Sequence, residues 1–108
     1  MQLSVNEMEY TVIVSERAKQ MLATHLKFLA NTNKAAAKDT KKRIIGGIAS
    51  LCSLPMRSPF FGGDYIPPNK YHKMYIENWY LVLFQVRDNV VYVDYIVDCR
   101  RDYGWLVK

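Results

Sequence analysis

The chain has 108 residues, of which 50% are hydrophobic and 23% charged, with a formal net charge of +5. This length and hydrophobicity predict a single folded domain and exclude intrinsic disorder. No apolar run approaches the roughly 20 residues that a membrane-spanning helix needs, and the N-terminal residues lack the order of a signal peptide. We therefore expect a cytoplasmic protein without a membrane partner, whose positive charge attracts a polyanion such as nucleic acid or an acidic protein.

The two cysteines, Cys52 and Cys99, lie far apart in the sequence. Neither has a second cysteine or a histidine at the spacing of a zinc site. We expect two small buried side chains in a reducing compartment, and neither a metal nor a cofactor.

The N-terminal part predicts a strand followed by a helix. Residues Glu9 to Val14 form a short run of β type, and Ser15 is suited to cap a helix from about Glu16 to Ala30. The apolar side chains of that helix recur at helical spacing. His25 lies on the same apolar stripe, which favours a core histidine with a hydrogen-bond partner over a catalytic base.

A second helix is predicted after Asn33, which can cap it and so complete a helical hairpin. Its predicted buried stripe consists of Ala37, Thr40, Ile44, Ile48 and Leu51. Its lysines cluster on a neighbouring face: Lys34, Lys38, Lys41 and Lys42. These lysines fit a solvated surface and a phosphate-contacting surface equally well. Gly46 and Gly47 interrupt the helical pattern, and close packing against a sheet would explain them.

Residues 53 to 70 hold all four prolines and predict a long irregular connection, with one short extended piece near residues 56 to 58. A strand from Tyr71 to Ile76 is expected next. Two runs rich in Val, Ile, Tyr and Phe, Tyr80 to Val86 and Val90 to Asp98, then predict a β-hairpin across a three-residue polar break.

Both faces of the first hairpin strand are apolar, which predicts a central strand covered on both sides. Strict alternation in the second strand predicts one apolar face carrying Val91, Val93, Tyr95 and Val97. It predicts a mixed opposite face carrying Tyr92, Asp94, Ile96 and Asp98. The fold class is therefore α+β: an N-terminal strand, a helical hairpin and an antiparallel β-meander.

Charged side chains and a tyrosine follow the second hairpin strand directly, in the run Cys99-Arg100-Arg101-Asp102-Tyr103. This order of elements, in a basic chain of this length, resembles the RelE/ParE superfamily of bacterial toxins. The run Tyr80-Leu-Val-Leu-Phe-Gln-Val86 looks like the central strand of that family, and the run Val97 to Tyr103 looks like the Cys-Arg-Tyr-His-Tyr ending of YoeB-type members. The resemblance covers the chain from about Tyr10 to Tyr103.

The resemblance implies a toxin that cuts messenger RNA on the ribosome, where the 2′-hydroxyl of the RNA attacks the adjacent phosphate. That reaction needs a proton acceptor, cations for the charged phosphate and an acid for the leaving oxygen. The residues that match the family motifs are Arg100, Arg101 and Tyr103, and His72 and Lys73 lie where RelE carries catalytic lysines.

Two positions depart from the nuclease pattern. Leu81 stands where the central strand of the family usually carries a catalytic arginine, and Asp102 stands where the YoeB-type ending has histidine. Leucine cannot replace the bidentate phosphate contact of an arginine.

Two alternatives to the nuclease therefore stay open. The first is a ParE-type toxin, which is not a nuclease and binds DNA gyrase. The second is a basic interaction domain without catalytic activity, in which Arg100 and Arg101 pair with Asp94, Asp98 or Asp102. Both toxin readings imply an acidic antitoxin as partner, whose flexible segment wraps the toxin.

Overall fold

The computed structural model describes residues 9–53, 55–62 and 69–100. The elements in chain order are β1 (Thr11–Val14), α1 (Glu16–Ala30), α2 (Lys34–Ala49), β2 (His72–Ile76), β3 (Tyr80–Arg87) and β4 (Val90–Asp98). This order confirms the predicted α+β class. No helix in these ranges is long and apolar enough to cross a membrane.

The four strands form one sheet in the order β1-β4-β3-β2. The antiparallel pairing of β2 with β3 and of β3 with β4 confirms the predicted meander. β1 joins the sheet parallel to β4, and Thr11 is in register with Val90. β1 begins two residues later than predicted, because Glu9 forms an isolated bridge with Ser53 instead.

Both helices begin at the predicted caps. The Ser15 hydroxyl accepts a hydrogen bond of 3.0 Å from the backbone nitrogen of Ala18. The Asn33 side chain accepts one of 2.9 Å from the backbone nitrogen of Ala36. Each bond satisfies one of the donors that a helix start leaves without an intrahelical partner.

The helices pack on one face of the sheet, over an apolar cluster that includes Ile44, Val82, Phe84, Val93 and Ile96. A second, smaller cluster lies on the opposite face and comprises Tyr71, Leu81, Leu83 and Val97. The side chains of β3 from Leu81 to Phe84 are fully buried between the two clusters. The prediction that this strand is covered on both faces is confirmed.

The predicted alternation in β4 is wrong beyond Asp94. Val93 is in register with Phe84 and Tyr95 with Leu83, so Asp94 is an extra residue without a partner across the strands. Such a β-bulge shifts every later side chain to the other face of the sheet. Consequently Ile96 joins Val93 on the helix face, whereas Tyr95 packs with the cluster on the opposite face.

The connection after α2 also differs from the prediction. The residues expected to be extended lie in a short 3₁₀ helix, Pro55–Arg57. Proline at the first helical position explains the difference, because its fixed φ suits a helical turn and its missing N–H costs nothing there.

Only one of the two glycines in α2 packs closely against the sheet. A Cβ atom on Gly47 would lie 2.7 Å from Cδ1 of Ile76 on β2, whereas a Cβ on Gly46 would meet nothing within 4 Å. The predicted explanation by close packing therefore holds for Gly47 alone.

α1 covers the part of β4 that β1 leaves open. β1 ends opposite Val93, and the backbone nitrogen of Ser15 donates to the Val93 carbonyl oxygen at 2.9 Å. The Ser15 hydroxyl donates to the Asp94 carbonyl at 3.3 Å. Ser15, the cap of α1, thus takes the place of a neighbouring strand along this part of the edge, which a sheet must otherwise protect.

Candidate functional site

The end of the hairpin brings together a polar group that we call the Arg100 cluster: Tyr80, Asp98 and Arg100. Tyr80 begins β3 and Asp98 ends β4, and the two residues are in register. Arg100 follows two residues later, so the sheet places its side chain beside both. The proximity of these groups follows directly from the hairpin register.

Asp98 orients the guanidinium group of Arg100. Nε of Arg100 lies 3.3 Å from Oδ1 of Asp98, and Nη2 lies 3.4 Å from Oδ2. The backbone nitrogen of Arg100 also donates to Oδ1, at 2.9 Å. Asp98 is only 3% exposed, so the arginine and the backbone amide compensate a buried carboxylate.

Two aromatic residues, Tyr80 and Trp79, also contact the guanidinium group of Arg100. Nη2 of Arg100 donates to the Tyr80 hydroxyl at 3.2 Å, and the guanidinium carbon lies 4.9 Å from the centre of the Trp79 ring. Trp79 is nevertheless 47% exposed. A planar cation stacked on an exposed ring is available to an anionic or aromatic group of a partner.

A cavity of about 220 Å³ opens beside the cluster. The cluster residues line it together with His25, Phe28, Leu29 and Thr32 from α1 and the turn that follows it. Its walls therefore combine one cation, one carboxylate and apolar surface. That lining suits a side chain or small group of a partner better than a free polyanion, because Asp98 already neutralises Arg100.

The ionisation of the cluster follows from its burial and charges. Burial raises the pKa of the Tyr80 phenol and the nearby Asp98 carboxylate raises it further, against the opposing effect of Arg100. Hydrogen bonding to Asp98 raises the pKa of Arg100 above its usual value. At neutral pH the cluster therefore presents a protonated phenol and a permanent cation, and Tyr80 is no proton acceptor.

The structure separates His72 from the Arg100 cluster and buries it. His72 is 4% exposed, and its Nδ1 donates to the Ser58 carbonyl oxygen at 2.7 Å. Its ring stacks on Phe60, with the ring centres 4.2 Å apart, and on Phe84, at 5.4 Å. These contacts are those of a packed structural histidine.

Lys73 lies on the opposite face of the sheet from His72, because neighbouring residues of a strand alternate. Lys73 is in register with Leu83, three positions along the strand from the Ile76–Tyr80 pair next to the cluster. This offset corresponds to roughly 10 Å along the strand direction. The structure does not bring His72 or Lys73 to Arg100, and the remaining predicted site residues, Arg101 and Tyr103, lie outside the described residues.

Leu81, at the position of the family arginine, is fully buried in the cluster that includes Leu83 and Val97. A cation at this position would lose its hydration among apolar side chains, which is costly without a paired anion. β3 therefore offers no phosphate contact at Leu81.

A second polar group surrounds the bulge at Asp94, and strand alternation did not predict it. Nε2 of Gln85 donates to Oδ2 of Asp94 at 2.7 Å. Burial, followed by the Asp94 charge, raises the pKa of Tyr71 to about 12. Nη1 of Arg17 donates to the Tyr95 hydroxyl at 2.6 Å. The bulge has no signal in the sequence, so the pattern could not reveal that these groups meet.

Known proteins resemble this chain in fold. No protein-family model matches the sequence, and no curated protein matches it. The fold is similar to that of one chain in a solved structure described as "Chromosomal ParDE TA system from P. aeruginosa", with a TM-score of 0.68 and 12% sequence identity. The match covers 84% of this chain and 97% of that chain. The predicted resemblance to the RelE/ParE superfamily is thus confirmed for the fold.

Proposed function

We propose that this chain is the toxin of a type II toxin–antitoxin pair, and that it acts by binding a target protein, as ParE-type toxins do, rather than by cutting messenger RNA. The fold supports the first part, since it resembles a chain from a ParDE system. The observation that carries the second part is the complete burial of Leu81 among apolar side chains.

Cleavage of messenger RNA by its own 2′-hydroxyl needs cations and proton-transfer groups that converge on one phosphate. Among the described residues, Arg100 is paired with Asp98, His72 is stacked between aromatic rings, and Lys73 lies on another face and further along the sheet. These positions favour recognition of a protein surface by the Arg100 cluster and the neighbouring Trp79.

Messenger RNA cleavage is the second candidate. The permanent charge of Arg100 in the wall of the cavity favours it, because a stacked guanidinium can bind a phosphate once Asp98 is displaced. In that reading Arg101 supplies a further phosphate contact, Tyr103 supplies the acid, and the ribosome contributes the missing groups.

The proposed partners follow from the charge and the fold class. An acidic antitoxin would complement the net charge of +5 and keep the toxin inactive in the cytoplasm. DNA gyrase is the proposed target, and the ribosome with its messenger RNA is the target under the second candidate.

Controlled expression of the full chain in bacteria tests the proposal. We expect growth arrest with intact messages in primer-extension mapping, together with inhibition of DNA supercoiling by purified gyrase. Arg100→Ala should relieve the arrest, whereas Lys27→Gln on an exposed part of α1 should not. Cleavage of translated messages that Arg101→Ala abolishes would establish the nuclease instead, and absence of any arrest would favour an interaction domain.

A further inference from the structure

α2 carries a row of four exposed lysines that we call the lysine stripe: Lys34, Lys38, Lys41 and Lys42. At 100° per residue these side chains lie within an arc of about 100°. Their Cα atoms span about 12 Å along the helix axis, at 1.5 Å per residue. The stripe is therefore a row of positive charge on one side of the helix, beside its buried face.

Acidic groups lie on the other flank of α2. Asp39 pairs with Arg43 at 3.5 Å, and Nε of Arg43 lies 3.6 Å from Glu77 in the turn after β2. Within the described ranges, no lysine of the stripe forms an ion pair. Among the described residues, the positive charge of the stripe thus stays without an ion-pair partner.

The placement of the stripe works against the stability of the helix. Lys34 opens the first turn, which contains no acid, and the last turn contains no basic residue. The helix macrodipole favours the reverse arrangement. Lys34 and Lys38 are also like charges four residues apart, which further destabilises the helix. A row of charges that opposes its own helix points to a role outside folding.

From these observations we infer that the lysine stripe binds the phosphate backbone of duplex DNA. A duplex presents about one charge per 1.7 Å of its axis, so a row of about 12 Å faces several phosphates at once. The inference goes beyond the proposed function and does not depend on it, since binding to DNA is measured without a toxin target.

Other polyanionic surfaces fit the stripe less well. Membrane-surface helices insert a broad exposed apolar face, but Ala37, Ile44 and Ile48 of α2 are buried and Ile45 is its single large exposed apolar side chain. Single-stranded nucleic acids are bound through stacked aromatic rings, and α2 contains none. Protein interfaces are depleted in lysine and depend on aromatic anchors.

The first test measures binding of the full chain to a 20-base-pair duplex by fluorescence anisotropy at several salt concentrations. The double variant Lys38→Gln/Lys41→Gln is compared with Lys19→Gln/Lys27→Gln, which removes the same charge from exposed positions on α1. We expect the stripe variant to bind more weakly and to reduce the slope of log K against log salt by about 1.8, since each phosphate contact contributes about 0.9.

The control variant should keep the wild-type slope. Equal losses in both variants would overturn the inference, because they would reflect net charge alone. Tighter binding to single-stranded RNA of equal length, or to vesicles of anionic lipid, with the same dependence on the stripe would also overturn the assignment to duplex DNA.

The second test separates binding from folding with Lys34→Glu. This change places an acid in the first turn and creates a favourable pair with Lys38. We expect the melting temperature to rise by about 3 °C while affinity for the duplex falls several-fold. Unchanged affinity in a variant that melts at a higher temperature would overturn the role of the stripe in DNA binding.

Discussion

Nε2 of His25 lies 3.0 Å from the carbonyl oxygen of Ile96, at the edge of β4 that α1 covers. Because a carbonyl oxygen only accepts, His25 must carry a proton on Nε2 and donate it. The histidine therefore supplies to β4 the hydrogen bond that a further strand would otherwise supply. The contact supports the structural reading of His25 over the catalytic one.

Substitution of His25 should accordingly destabilise the protein. His25→Leu leaves the buried Ile96 carbonyl without this donor, and we expect the free energy of unfolding to fall by about 1 to 3 kcal/mol. His25→Gln keeps a donor and should lose less. Urea unfolding followed by circular dichroism measures both, and equal losses in the two variants would contradict the importance of the hydrogen bond.

The two glycines of α2 form a matched pair for substitution. Gly46→Ala has free space and should raise the free energy of unfolding by about 0.5 to 1 kcal/mol, because alanine is the better helix former. In Gly47→Ala the new methyl group would have to displace Ile76, which offsets that gain. We expect this variant to be less stable than Gly46→Ala by about 1 kcal/mol or more in thermal unfolding.

The effect of the Asp98 charge can be measured as a change in the pKa of Tyr80. Asp98→Asn removes an anion that raises the pKa of the phenol, while Arg100, which lowers it, remains. The pKa of Tyr80 should therefore fall. Ultraviolet titration of phenolate formation, with Tyr80→Phe in the same background as the subtraction control, measures this shift. An unchanged titration would mean that burial alone sets the pKa.

Tyr71 should make the stability of the protein sensitive to alkali. Its pKa is raised from 10.0 to about 12 in the folded state, so the folded state keeps the proton over a pH range in which the unfolded chain loses it. The resulting contribution is fully present below about pH 10 and declines towards pH 12.

Tyr71→Phe removes this titration, so its free energy of unfolding should decline less steeply than that of the wild type between pH 10 and 11.5. Chemical denaturation at a series of pH values measures the difference. Parallel pH profiles for the two proteins would argue against a raised pKa at Tyr71.

Local patterns in the sequence predicted most of the fold. Ser15 and Asn33 cap the helices as expected, and the hairpin runs match β3 and β4 closely, because capping and periodicity depend on neighbouring residues. The bulge at Asp94 is accompanied instead by hydrogen bonds with Gln85 on β3 and with Ser15 before α1, so its contacts lie on other elements. Reasoning from alternation alone could not place it.

The candidate site, like the fold, was predictable from the sequence only where neighbouring residues determine it. Arg100 was predictable, since it follows β4 directly and the hairpin register sets its neighbours. His72 and Lys73 are predicted from the resemblance to RelE alone, yet strand alternation sends them to opposite faces of the sheet. Asp98 was among the partners that the sequence offered for Arg100, whereas the contact of Arg100 with Tyr80 required knowledge of the register between β3 and β4.

The parallel pairing of β1 with β4 has a consequence for the order in which the chain acquires its structure. The residues that pair with Thr11–Val14 are Val90–Val93, so β1 has no partner in the sheet until nearly the whole described chain has left the ribosome. The helical hairpin can form earlier, because its contacts are local. During synthesis the nascent chain therefore carries an unpaired β1 and an incomplete core, and the sheet closes only after translation of β4.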